Sequence, residues 1–245
     1  MRSQLVIFAG LAGLGLAGFA GLAGLAGLTA AAAPAVSAAP AAAAQPSGRV
    51  VGTVTVTESD GKPANPADVI VYVVGFPEPA GDKVTTIAQK GRKFVPDLVA
   101  ITVNEHVAFP NNDPFLHNVF SQSGTRKFDL GSFKRGETKD RQFRDAGVVD
   151  VYCNIHPEMA ATILVLPNRR HTRAATDGHY VLEGVRPGDW TVFAYTRRAT
   201  KPTSAKVTVK VGEDTKVDLA ITRGAEPEHL NKYGEKYHGS GEVYR

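Results

Sequence analysis

Two residue types are almost missing from this 245-residue chain. Cysteine occurs once, as Cys153, and methionine twice, as Met1 and Met159. A single cysteine excludes an intramolecular disulfide, a Cys-rich zinc site, a Cys-x-x-Cys-His haem attachment, a four-cysteine iron–sulfur cluster and a two-cysteine dinuclear metal centre. It also excludes a lipoprotein anchor, which needs a cysteine near the leader. Charge is missing from one end, with none between Arg2 and Arg49. No segment has a long helical period. There is no Gly-x-Ser-x-Gly, no His-Glu-x-x-His and no P-loop, so no enzyme is expected. The net charge of +4 is too small to mark a nucleic-acid binder by itself.

The uncharged end has a purpose of its own. Residues 5–28 are only Leu, Ala, Gly, Val, Ile and Phe, after a short basic start. That pattern is a secretory signal peptide, expected over residues 1–38, with Ala-x-Ala-like sites ending at Ala33 or Ala38. The other reading is a retained anchor, because such a run is long enough to span a bilayer. Glycine in the Leu-Ala-Gly triplets disfavours a permanent helix. Under either reading the remainder is periplasmic or secreted, and membrane association follows only if the segment is retained. Residues 39–47 read as an Ala/Pro linker.

From residue 49 the pattern is β. Alternating runs at Arg49–Thr57, Ala67–Val74, Leu98–Val103, His106–Phe109, Asn118–Ser121, Val148–Cys153 and Thr162–Leu166 are expected strands. Gly178–Leu182, Trp190–Tyr195, Ala205–Val211 and Lys216–Ile221 follow them. Many short strands between Gly, Pro and Asp turns predict an all-β chain built from sandwiches. The polar stretch 224–245 reads as a flexible tail.

The two scarce sulfur residues lie together. Cys153-x2-His156-x2-Met159 ends an expected strand, and His117 stands 36 residues earlier in Asn111-Asn-Asp-Pro-Phe-Leu-His117-Asn118-Val. One thiolate, two imidazoles and a weak thioether make the ligand set of an electron-transfer copper site. Thiolate and imidazole suit both Cu(I) and Cu(II), so neither state demands a large rearrangement. Zinc is the other metal to weigh, but structural zinc takes four Cys or His ligands and not methionine. None of the seven histidines forms the His-x-His of a multicopper oxidase.

The span from about Gln89 to Leu166 resembles the cupredoxins, the plastocyanin–amicyanin–pseudoazurin family. The matching residues are Phe94-Val-Pro96, Val103 to Phe109-Pro-Asn-Asn-Asp113, His117-Asn118-Val119, and Tyr152-Cys153 through His156-Pro157 to Met159. The Cys-x2-His-x2-Met spacing is that of the amicyanin loop. The resemblance implies a Greek-key sandwich over 79–167 and one type 1 (blue) copper ion. His117, Cys153 and His156 would be its strong ligands and Met159 its axial one. It implies that Asn118 ties the two ligand loops together. It also implies an apolar electron-transfer patch, for which the candidates are Pro114, Phe115, Leu116, Pro157 and Ala160, and a redox protein as partner.

Residues 176–196 resemble a second family, the carboxypeptidase regulatory-like (transthyretin-like) β-sandwich. The carriers are the Asp177-Gly178 turn, Tyr180 and Leu182, the Pro187-Gly188 turn and the strand at Trp190. Residues 168–223 are short for that sandwich, and 48–78 resemble its missing first strands. Two arrangements are open: one discontinuous domain of 48–78 and 168–223 with the copper module inserted, or two modules in series. Seven Lys/Arg between Arg126 and Arg144 form a basic stretch suited to steering an anionic partner. Besides an electron carrier, the same ligands would serve a copper-binding or delivery protein, or a secreted interaction module with accessory copper.

Overall fold

The computed structural model describes residues 45–201 and 203–237. The expected signal peptide, most of the linker and residues 238–245 lie outside the described residues. Among the described residues the chain is all-β, and its only helical elements are two single 3-10 turns, Pro66–Asp68 and Gly124–Arg126. None is long and apolar enough to cross a membrane.

Gly48–Glu58 begins the first sandwich. Its β-branched residues alternate, so Val50, Val54 and Val56 point inward and are buried. This strand pairs antiparallel with His179–Val185, placing Val50 opposite Leu182. It also pairs in parallel with Asp214–Lys216 and then with Leu219–Arg223. The parallel partner changes at Gly52, where a Cβ would lie 1.7 Å from the Val217 carbonyl oxygen. Only glycine lets the two backbones pass so closely. The facing sheet runs His171–Arg173, Ile70–Val74, Gly188–Tyr195, Thr203–Val209. Val71, Val73, Val192, Val207 and Val209 from it close the core against Tyr180, Leu182, Leu219 and Ile221.

The chain leaves this sandwich after Ile70–Val74 and returns with His171–Arg173. The outgoing and returning segments are bound to each other. The Glu78 N–H donates to the Pro167 carbonyl at 2.9 Å. Buried Asn168 donates through Nδ2 to the carbonyls of Val73 and Phe76, at 3.1 and 3.0 Å. The Arg170 guanidinium donates to the Glu78 carboxylate at 2.8 and 3.0 Å.

Between these crossings lies the second sandwich. One sheet is ordered Phe128–Phe133, His117–Ser121, Gly147–Tyr152, Ala160–Leu166, Leu98–Thr102; only its last pair is parallel. The other has Thr138–Gln142, His106–Pro110 and Thr85–Thr86. Phe109, Phe133, Ile87, Ile101, Val149 and Ile163 fill the space between them, with Cys153 and Met159 in the same core. The two sandwiches meet through Ile70, Leu98, Leu164 and Leu166, with Tyr72, Ala100 and Tyr195 beside them. Arg173 crosses this seam to donate to the Leu98 carbonyl at 2.7 Å.

Some segments differ from the sequence pattern. Phe128–Phe133 and Thr138–Gln142 are strands inside the stretch read only as basic surface. Three of its cations are engaged locally: Arg126 donates to the Asp145 and Ala146 carbonyls, Lys139 to that of Leu130, and Arg141 lies over Phe128. Lys127, Lys134, Arg135 and Arg144 remain exposed. Expected Lys216–Ile221 is two strands broken at Val217, which serves the Gly52 crossing. The stretch from Gly224, expected as a flexible tail, is laid as far as Tyr237 along the second sandwich. Asn231 there is largely buried, the Lys232 N–H donates to Asn154 Oδ1 at 2.9 Å, and Gln122 donates to the Lys232 carbonyl at 2.8 Å. Its polar composition conceals three anchoring side chains, His229, Asn231 and Tyr237.

Candidate metal centre

Strand ends place the donors. His117 opens His117–Ser121 and turns its ring into the core, where it has no exposure. Cys153 follows directly on Gly147–Tyr152, two strands pairing through Tyr152 and Phe120. The loop from Cys153 to Met159 is closed at its neck. The Cys153 N–H donates to the Met159 carbonyl at 3.2 Å, and the Met159 N–H to that of His156 at 3.1 Å. This neck carries His156 back over Cys153 and buries Met159 completely.

The donor atoms converge. His117 Nδ1 and His156 Nδ1 are 3.1 Å apart, and Cys153 Sγ is 3.9 Å from the first and 3.7 Å from the second. Three atoms so spaced share a centre about 2.1 Å from each, close to common metal–imidazole lengths of about 2.0–2.1 Å and metal–thiolate lengths of about 2.3 Å. The residues present therefore fit a single ion in a trigonal N,N,S set. Burial pushes the Cys153 thiol above its ordinary value, against the lowering effect of N–H groups from Asn118, Ile155 and His156. Burial, with the His117 ring, holds the His156 imidazole below its own. Both groups thus favour their neutral forms in the metal-free protein, and the thiol proton must leave when a metal binds.

The surrounding residues hold these donors still. Asn118, 1% exposed, accepts the Asn154 N–H through Oδ1 at 3.3 Å and donates through Nδ2 to Asp129 at 2.7 Å. It thereby connects the His117 strand to the Cys153 loop. Phe115 packs on both imidazoles, with centroids 5.2 Å from His117 and 5.5 Å from His156. Of the other patch candidates, Pro114 and Leu116 are exposed beside Phe115. Pro157 and Ala160 face elsewhere. They line a cleft of about 620 Å³ whose other wall is the segment Glu226–Leu230 with Lys236 and Tyr237. His229 Nε2 lies 2.8 Å from the Pro157 carbonyl and its ring stacks on Tyr152, centroids 3.9 Å apart. The Tyr237 hydroxyl donates to the Cys153 carbonyl at 2.9 Å.

Sequence reasoning passed over Asn111 and Asp113. Asn111 is fully buried and shapes the loop before His117, donating to the carbonyls of Phe115 and Phe133 and accepting the Asp113 N–H. Asp113 then reaches His117 itself, with Oδ2 2.8 Å from Nε2. The available signal was the Asn-x-Asp turn ending four residues before a histidine.

Fold and donors together define an all-β sandwich protein in which two histidines and one cysteine are placed to hold a metal ion. No protein-family model matches the chain, and no curated protein does. Among solved structures it is similar to a purple cupredoxin from Nitrosopumilus maritimus, with 22% identity over 33% of this chain and 98% of that one and a TM-score of 0.31. It is also similar to a Cu(I) form of a mutant amicyanin, with 19% identity over 39% of this chain and 97% of that one and a TM-score of 0.33. A reduced form of another amicyanin mutant is 20% identical, with the same coverage and TM-score.

Proposed function

We propose that the chain is an extracytoplasmic type 1 copper protein that passes single electrons between redox partner proteins. The observation that carries this reading is the convergence of His117 Nδ1, His156 Nδ1 and Cys153 Sγ in one plane of donors beside buried Met159. When bound, copper would supply one-electron exchange between Cu(I) and Cu(II). The protein's part is restraint. The Cys153–Met159 neck and the Asn118 bridge fix the donors, the sandwich core keeps water from Cys153, and Phe115 shields both imidazoles. A donor set that cannot move costs little reorganisation when an electron arrives. His156 is the one strong donor only half buried, so its edge is the route to a partner. We assign no enzymatic step.

Strands 48–78 and 168–223 are read as one discontinuous carboxypeptidase regulatory-like module carrying the copper module between its halves. What supports this is the pairing of Val50 with Leu182 and of Val56 with Ile221, and the common core those strands share. Its role is structural, or as a docking surface. The leader over 1–38 supports export to the periplasm or beyond.

The test is Cu(II) addition to the mature protein, followed by visible and electron paramagnetic resonance spectra. An intense thiolate-to-copper band near ~600 nm with narrow copper hyperfine splitting is expected of a constrained Cys–His–His site, and Cys153→Ala should abolish it. A pale, ordinary tetragonal spectrum would overturn the reading.

A further inference from the structure

The nitrogen of His117 that faces away from the cluster meets a charge. Nε2 lies 2.8 Å from Asp113 Oδ2, and both side chains are buried, at 0% and 8% exposure. The same carboxylate accepts two backbone donors, the Gly91 N–H at 2.7 Å and the Arg92 N–H at 2.9 Å. Both residues have positive φ, 65° and 55°, a turn that aims one N–H at each oxygen of the carboxylate. Two backbone N–H donors and one ring nitrogen therefore converge on one carboxylate beside the donor cluster.

A carboxylate held this way has no hydrogen to give. Nε2 of His117 must carry the hydrogen of the pair. A neutral imidazole has only one, so Nδ1 keeps its lone pair, and Nδ1 is the nitrogen that points at Cys153 and His156. A hydrogen bond from the far nitrogen to an anion also raises the basicity of the ligating one. A more basic donor favours the higher charge on a bound ion.

We propose that Asp113 is a positioning residue that locks His117 in its Nδ1-ligating tautomer and biases the centre toward Cu(II). The second half rests on the copper reading above; the first does not. The anchoring is one-sided: His156 makes no such contact with a carboxylate among the described residues, so the two imidazoles differ in donor strength.

The first measurement needs no metal. Long-range nitrogen–proton NMR on the metal-free full chain reports which nitrogen of His117 is protonated. A ring protonated at Nε2 is expected in the wild type, and a mixture of tautomers in Asp113→Asn. A wild-type ring protonated at Nδ1 overturns the proposal, and this holds even if the variant fails to fold. The second measurement is copper affinity in both oxidation states, with the reduction potential. Asp113→Asn should lose about 10–100-fold in Cu(II) affinity and less in Cu(I). Each tenfold of difference raises the one-electron potential by about 59 mV. Equal loss in both states, or an unchanged potential, refutes the bias toward Cu(II). A wild type with no blue spectrum overturns the copper reading instead, while the tautomer result stands.

Discussion

Asn118→Ala is the most informative single change, because one side chain joins the two segments that supply the donors. The residue is 1% exposed. Truncation leaves the Asn154 N–H without the Oδ1 that accepts it at 3.3 Å, and removes the Nδ2–H donated to Asp129 at 2.7 Å. The second loss is the larger, since bonds to charged groups contribute about 1.5–3 kcal/mol. It is moderated because Asp129 keeps the Gly131 N–H and the Lys232 ammonium as partners and is partly exposed. A net cost of about 2 kcal/mol follows, which in a chain of this size lowers Tm by about 4–8 °C. Calorimetry of the metal-free protein measures this directly. The same change frees the Cys153 loop from the His117 strand, so copper should dissociate about 10–100-fold faster, read by transfer to a chelator. A Tm within about 1 °C of wild type together with an unchanged dissociation rate would show that the loops are held by something else.

Glu78 supplies a pH signature far from the donors. Burial pushes its carboxyl up, but the Arg170 guanidinium and the Arg169 N–H outweigh this and hold it below the usual range. A lowered folded value means its stabilisation is complete above the unfolded carboxylate range and disappears as pH falls through the folded value. Stability curves of wild type and Glu78→Gln should therefore stand about 1–3 kcal/mol apart at neutral pH and converge as pH falls below the usual carboxylate range; parallel curves would refute the clamp. Met159→Leu should retain copper and raise the potential, since a weak sulfur donor is replaced by hydrocarbon; an unchanged potential in electrochemistry would argue against axial ligation. Leu116→Lys, at a side chain 46% exposed beside Phe115, should slow electron exchange with a redox partner in stopped flow while leaving the copper spectrum as it was. Equal exchange rates would remove Leu116 from the contact surface.

How much of this is legible in sequence depends on the range of the forces involved. Gly48–Glu58 announces itself by alternating β-branched residues and Ala160–Leu166 by a short continuous apolar run, both local properties. The donors His117, Cys153 and His156 are legible because scarcity makes them so: with one cysteine in the chain, the neighbourhood of Cys153 has few competitors. Phe128–Phe133 and Thr138–Gln142 are not legible, because glycine interrupts the first and charge fills the second, and each draws its strand character from ladder bonds to His117–Ser121 and His106–Pro110. The 224–237 segment is hidden for the same reason. Its anchors are three polar side chains, each bonded to a backbone or ring contributed by the 152–157 region or closing its own turn. Asp113 hides behind Pro114 as an ordinary turn residue until the fold brings the Gly91–Arg92 turn beneath it.

These contacts also decide between two ways out of the centre. Cys153 is flanked by Tyr152, an aromatic ring that, under the proposed function, would otherwise offer electrons a path to solvent along the chain. His229 stacks on that ring, Tyr237 packs against His229 at 5.4 Å, and the Tyr237 hydroxyl closes onto the Cys153 carbonyl. A partner approaching this side meets the 226–237 segment first, with Glu158, Glu226 and Glu228 on the walls of its cleft. Over the imidazoles lies Phe115, with the Arg92 guanidinium on its ring and Pro114 and Leu116 exposed beside it, and His156 is half exposed. Coverage favours the His156 edge for the electron exchange we propose. Pro157 and Ala160, apolar and close to the ligand loop in sequence, lie in the wall against the C-terminal segment, so the contact surface we propose narrows to residues 114–116 around His156.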